Sequence, residues 1–164
     1  MKSLVVYSSQ SGNTKKLAET VCQHLPNGAL MCQVDDAPDP AGYDLVALGF
    51  WLQGGKPDPK STAYLERLKG HKKIFLFATH GANPVSDHAQ NAMAQARSLA
   101  QGAIVSGTFS CFGEVNPKVL EKVKTKPEPP AWIDDATDAV GHPDQSDLDR
   151  LCASLAAATG LYPS

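Results

Sequence analysis

Runs of strand length and segments of helical periodicity alternate five times along this chain. That alternation constrains the fold more than any other feature. Parallel strands are joined only through crossovers, and helical crossovers cover both faces of a sheet. Ser3–Tyr7 reads as the first strand. A helix follows from Asn13 or Thr14, with Leu17, Val21 and Leu25 on one stripe, and Pro26-Asn27-Gly28 ends it. Ala29–Val34 is a weak strand suited to an edge. Leu45–Phe50 and Ile74–Ala78 are continuous apolar runs, as expected of strands covered on both faces. Between them lie a loop from Trp51 to Pro59 and a short helix from about Lys60 to Lys69. Pro84 suits the first position of the next helix, with Asn83 as its cap and Val85, Ala89, Ala92, Met93, Ala96, Leu99 and Ala100 on its apolar face. Ala103–Phe109 is the fifth strand, and Pro117–Val123 makes one or two helical turns. Lys124–Pro143 is proline-rich and largely irregular. A last helix, capped by Asp144 or Asp147, carries Leu148, Leu151, Cys152 and Leu155. The expected fold class is α/β: a five-stranded parallel sheet between two helical layers, in one domain spanning 1–164.

Composition narrows the function. With 15 basic and 17 acidic residues the net charge is −2, so no nucleic acid is expected as a partner. No apolar run is long enough for a bilayer and no signal peptide is seen, so neither membrane association nor export is expected. Cys22, Cys32, Cys111 and Cys152 form no C-x-x-C pair and no zinc-ligand spacing. They read as reduced thiols of a cytoplasmic protein, and no metal site is expected.

In such a sheet, ligands bind past the carboxyl ends of the strands, where the strand order reverses. Three loops there are unlike ordinary connectors: Ser8–Asn13, Trp51–Pro59 and Thr79–Asn83. In a 2-1-3-4-5 order they converge on one crevice. The first reads Ser9-Gln10-Ser11-Gly12-Asn13-Thr14 and runs into a helix. Backbone N–H groups at that helix start, with the hydroxyls of Ser9, Ser11 and Thr14, suit a phosphate dianion. Gly12 lets the backbone close around it. No Lys or Arg lies in the loop, and Lys15 and Lys16 are expected to point to solvent. Neither the P-loop spacing nor G-x-G-x-x-G is present. The plain alternative is a polar strand-to-helix turn capped by Ser or Asn.

This hydroxyl-x-hydroxyl-Gly-x-Thr pattern after the first strand resembles the phosphate-binding loop of flavodoxins. The resemblance implies a flavodoxin-like αβα sandwich with sheet order 2-1-3-4-5 and FMN as cofactor, its phosphate held by Ser9, Gln10, Ser11, Gly12, Asn13 and Thr14. It implies that Phe50, Trp51, Leu52, Gln53, Gly54 and Gly55 meet the isoalloxazine ring. Trp51 would stack on the ring; Gly54-Gly55 would supply a peptide free to flip towards flavin N5 as the one-electron state forms. Core packing of Trp51 and a simple glycine turn are the alternatives. Thr79, His80, Gly81 and Ala82 form the third cofactor segment. Flavodoxins usually have an acidic, Gly-rich stretch with a Tyr there, whereas this chain has no Tyr and no acid until Asp87. His80, read as lying on an exposed loop, would cover the ring, donate a proton near N1 or N5, or simply be solvated.

The second half departs from electron-carrier flavodoxins. It lacks their strong negative charge, and it carries Lys126–Pro130, Trp132 and Gly141-His142-Pro143-Asp144. These features look more like a branch of short flavodoxin-like proteins that includes accessory proteins associated with bilirubin reductase; no partner is carried over. Trp132 reads as an anchor for the long loop, and Cys111 as a packed thiol. With no triad, paired carboxylates or metal site, no catalytic residue is assigned. The function implied is a monomeric electron carrier between a donor reductase and an acceptor enzyme. The alternatives are an FMN-dependent NAD(P)H reductase of quinone-like acceptors, for which a dimer is common, and a protein that merely stores FMN. A response-regulator-like switch needs acids after strand one and an Asp after strand three; Ser-Ser-Gln and Phe-Trp stand there instead.

Overall fold

The computed structural model describes residues 1–161. Its sheet has five ordered parallel strands: β1 (Ser3–Tyr7), β2 (Leu30–Gln33), β3 (Leu45–Gln53), β4 (Ile74–His80) and β5 (Val105–Phe112). Their order is 2-1-3-4-5, as expected. α1 (Asn13–His24) and α5 (Gln145–Thr159) cover one face; α2 (Pro59–Arg67) and α3 (Asp87–Leu99) cover the other.

Period-two alternation divides the strands between two cores. Leu4, Val6, Val46, Leu48, Phe50, Leu76 and Ala78 face Tyr64, Leu65, Leu68 and Ala96. Val5, Tyr7, Ala47, Phe75, Phe77 and Cys111 face Leu17, Ala18, Val21, Leu151 and Leu155. The apolar runs of β1, β3 and β4 are continuous because both of their faces are buried. Among the described residues, no helix is long and apolar enough to cross a membrane.

Several boundaries differ from the sequence reading; β5, expected over Ala103–Phe109, runs from Val105 to Phe112. β3 does not stop at Phe50. It continues to Gln53, turns at Gly54-Gly55 and returns through an extra two-residue antiparallel strand, Lys56–Pro57, so most of the expected second loop is a hairpin. α2 starts at Pro59 because Asp58 caps it, accepting from Ser61 N–H at 3.1 Å. β4 runs on through Thr79 and His80, which therefore belong to a strand. α3 begins at Asp87, capped by Ser86, and not at Pro84. Asn83 is used elsewhere: its Oδ1 accepts from Val85 N–H, and its own N–H donates to Asp135 Oδ2, both at 3.0 Å. Val85, assigned to the apolar face, is 74% exposed.

The segment from Glu114 to Pro143 crosses the carboxyl end of the sheet. It holds α4 (Pro117–Lys124) and a single 3-10 turn, Ala131–Ile133. Glu114 N–H donates to His142 O, and Lys16 Nζ donates to Pro143 O at 2.6 Å. Lys16 is thus tied down and does not simply point to solvent. Asp144 caps α5 and Asp147 completes the capping box, so both of the expected capping residues take part.

Candidate functional site

The site is assembled at the carboxyl ends of β1, β3 and β4. Ser8 leaves β1 with its N–H on Gly49 O at 2.9 Å. Gln10, Ser11 and Gly12 are exposed, Ser9 and Asn13 are half-buried, and Gly12 adopts φ +92°. Gly12 N–H donates to Ser9 Oγ at 3.0 Å. α1 then starts with no side-chain cap and no acid in its first turn, whereas α2, α3, α4 and α5 are each capped by a side chain. The first N–H groups of a helix have no partners within it. Here they open onto small, exposed residues, and the positive end of the helix dipole is uncompensated.

Thr14 is buried and ties the three segments together. Its Oγ1 lies 2.8 Å from Thr79 Oγ1 and 3.5 Å from Phe50 O. The expected convergence of the loops is therefore made by a hydroxyl turned inward. Phe50's side chain is wholly buried in the α2/α3 core, and only its carbonyl reaches this junction. Trp51 and Leu52 are half-buried, Gln53 and Gly54 exposed. Trp51 pairs with Thr79 across β3 and β4, which places both on the α1 side, beside the first loop. Leu52 packs towards the opposite core.

His80 is the main correction at the site. It is 8% exposed at the end of β4, not on an open loop. Its Nδ1 lies 2.8 Å from Ala82 O. A carbonyl only accepts, so the neutral ring carries its proton on Nδ1, and Nε2 is left as a buried acceptor without a partner among the described residues. Burial lowers its pKa to about 4, against the opposing hydrogen bond to Ala82. The neutral imidazole has no proton to donate from Nε2.

Sequence reasoning missed Asp58, the end of β5 and Val115, and read Trp132 as an anchor without placing it at the site. Asp58, buried, accepts from Ser8 Oγ (2.9 Å), Ser61 Oγ (2.8 Å), Ser61 N–H and Trp51 N–H (3.4 Å), joining the first loop to β3 and α2. The Asp-Pro pair at 58–59 is the cap-and-first-turn signal that would have found it. Glu114 O accepts from Asn13 Nδ2 at 3.0 Å, and Gly113 N–H donates to His80 O at 2.8 Å, so the end of β5 joins the site. Val115 and Trp132 pack on Gly81: a Cβ there would lie 2.5 Å from Val115 Cγ2 and 3.3 Å from Trp132 Cε3. Nothing local in the sequence signals those contacts.

Residues 4–155 match the family model described as Flavodoxin domain. The chain belongs to the flavodoxin family. The chain is similar to the flavodoxin-like domain-containing protein BilS of Clostridioides difficile (strain CD3), at 30% identity over 160 residues and 90% of each chain. Its fold matches oxidised flavodoxin 2 from Bacillus cereus, at 16% identity and TM-score 0.63, over 99% of this chain and 100% of that one. It also matches a Lactobacillus acidophilus flavoprotein solved with FMN, at 20% identity and TM-score 0.56, over 66% of this chain and 92% of that one. Family membership supports flavin binding. The site fits it: an uncapped helix start for a phosphate, an indole beside it, and a buried imidazole acceptor without a partner.

Proposed function

We propose that this flavodoxin binds FMN and carries electrons between redox proteins, a donor reductase and an acceptor enzyme. The observation that supports it most is the uncapped start of α1, opening onto Gln10-Ser11-Gly12 beside Trp51. Backbone N–H groups and the Ser9 and Ser11 hydroxyls would hold the phosphate, and the dipole would supply the attraction that a cation supplies elsewhere. Trp51 would flank the ring on the α1 side. The Gly54-Gly55 turn and the Gly81-Ala82 segment would border it. Bound flavin supplies one- and two-electron chemistry; the protein's share is binding, orientation and shielding from water. Thr14 acts here by fixing Phe50 and Thr79, and Asp58 by fixing Ser8 and Trp51. His80, neutral and donating only to Ala82 O, would hold its segment and offer an acceptor. We propose further that the protein works as a cytoplasmic monomer.

The test is an anaerobic, stepwise dithionite titration of the protein with added FMN, followed by visible absorption. Quenched flavin fluorescence and a long-wavelength band at half-reduction would support a one-electron carrier. Direct two-electron bleaching by NAD(P)H alone would replace the carrier with a reductase. Failure to bind FMN would sink both.

A further inference from the structure

Among the described residues, α4 differs from the other helices. α1, α2, α3 and α5 each bury several residues, and α4 buries none. Its chief neighbour is the 3-10 turn Ala131–Ile133, whose Trp132 packs on Gly81 at the end of β4. The helix therefore lies one layer outside the candidate site. Pro117 and Asn116, whose Oδ1 accepts from Lys118 N–H at 2.9 Å, set its start. Eight residues have little helical stability of their own, and the apolar side chains here have little to pack into. Val119 is 42% exposed, and Leu120 and Val123 beside it are only half-buried.

The same stretch is basic. Residues 116–127 hold Lys118, Lys122, Lys124 and Lys126 against Glu121 alone, a net +3 in a chain of net −2. All four lysines are exposed, and none enters an ion pair among the described residues. Lys122 and Lys124 suit the negative end of the helix dipole. Lys118 stands at the positive end, four residues from Lys122, and Lys126 lies past the last turn. Helix stability therefore accounts for only two of the four.

We propose that α4 is a docking face for a redox partner whose own contact surface is acidic around an apolar centre. The lysines form the rim and Val119, Leu120 and Val123 the centre, as in a small, transient interface. The partner's redox role rests on the electron-carrier reading above; the charge and exposure of the face do not. An anionic lipid surface fits less well, because α4 has no aromatic residue and only those three side chains to bury. A second copy could offer the acids of residues 128–149. That contact is head-to-tail, however, and leaves unpaired ends rather than a closed dimer.

The test is 15N NMR of the full chain without FMN, titrated with Cu(I) plastocyanin, an acidic redox protein, and with reduced cytochrome c, a basic one. Plastocyanin should shift the amides of 116–126 and the Trp132 indole, and its affinity should fall about tenfold between about 20 and 200 mM salt. Lys118→Gln, Lys122→Gln, Lys124→Gln and Lys126→Gln combined, which keep helix propensity, should weaken binding about tenfold at low salt. Val119→Ser should weaken it without changing the salt dependence. Lys69→Gln, at the amino end of the sheet, should change nothing. The absence of plastocyanin shifts in this segment, equal binding of cytochrome c there, or a four-lysine variant that binds like wild type would overturn the proposal. So would α4 shifts produced by concentrating the protein alone, which mean self-association, or by phosphatidylserine vesicles, which mean a lipid surface. In FMN-loaded protein, one-electron transfer from reduced flavin to Cu(II) plastocyanin should slow about tenfold in the four-lysine variant. An unchanged rate alongside weakened binding would overturn the redox role of the face. Failure to take up FMN would count against the flavin reading alone, since the amide map needs no flavin.

Discussion

The buried imidazole of His80 gives this protein a stability that depends on pH in a defined window. Burial holds its pKa near 4 against an ordinary value of 6.5; the Ala82 hydrogen bond opposes that shift and His88 adds to it. In the unfolded chain the ring takes up its proton near pH 6.5, whereas in the folded protein it does so only near pH 4. Between those values the unfolded state binds more protons, so stability falls as the pH is lowered through the window and levels off below it. At about 1.4 kcal/mol per pH unit, the displacement is worth about 3 kcal/mol. Because the side chain is 8% exposed, solvent screening removes little of this.

The assay is urea denaturation of wild type and His80→Phe at a series of pH values from neutral to about pH 4. Wild type should lose about 3 kcal/mol more than the variant across the window. The remaining histidines, His24, His71, His88 and His142, are common to both proteins and largely cancel in the difference. Parallel curves would refute the argument, because they would mean that His80 accepts its proton in the folded state and that Nε2 reaches water.

Asp58→Ala removes the cap of α2 and leaves Ser8 and Ser61 without their acceptor; it should cost about 2–4 kcal/mol in urea and lower FMN affinity through Ser8 and Trp51. Gly81→Ala places a methyl 2.5 Å from Val115 Cγ2, so Val115 and Trp132 should lift from this segment. In a Trp51→Phe background, that lift should appear as a red shift of Trp132 emission. Asp147 is fully buried, and burial alone would raise its pKa, but the Asp144 N–H, His142 and Arg150 outweigh that and hold it low. Its contribution is therefore present above the ordinary carboxylate range and lost as the pH falls through the lowered value, below the His80 window. Asp147→Ala should abolish that acid step and speed amide exchange at His142 and Glu114 in hydrogen-exchange measurements.

The parts of this structure that were legible in the sequence are those set by local pattern. Apolar runs in β1, β3 and β4, the helical stripes of α1 and α5, and the small-residue loop after β1 each carry their signal within a few residues. The parallel sheet followed from the crossovers, and its 2-1-3-4-5 order from the likeness of the loop after β1 to flavodoxins. Boundaries failed where a distant partner changed the local answer. Asn83-Pro84 has the chemistry of a helix start, and Asn83 Oδ1 does accept from Val85 N–H. The chain makes only a turn there, closed by Ser86 N–H on Asn83 O, and Ser86 caps α3. Asp135, 52 residues away, ties down the Asn83 N–H. Thr79 and His80 read as loop because they are polar, and polarity is a poor guide where Thr14 and Ala82 satisfy them inside the protein.

The same distance effect explains how the third segment of the site is built. The flavodoxin resemblance leads one to expect an acid and an aromatic residue within it, and Thr79–Asn83 contains neither. Both arrive from the 114–143 segment instead. Asp135 supplies a carboxylate to the Asn83 N–H, and Trp132 lays its ring against Gly81. The bare Cα of Gly81 is what admits that approach, since a Cβ would collide with Val115. Lys16 from α1 holds the far end of the segment through Pro143 O, and Glu114 N–H closes it onto the His142 carbonyl. Asn13 Nδ2 on Glu114 O ties it to the first loop as well as the third. A side chain carried on a distant, well-anchored segment can be changed without altering the strand that ends beside it. Trp132 and Asp135 thus reach the third segment of the site from outside the sheet that supports it.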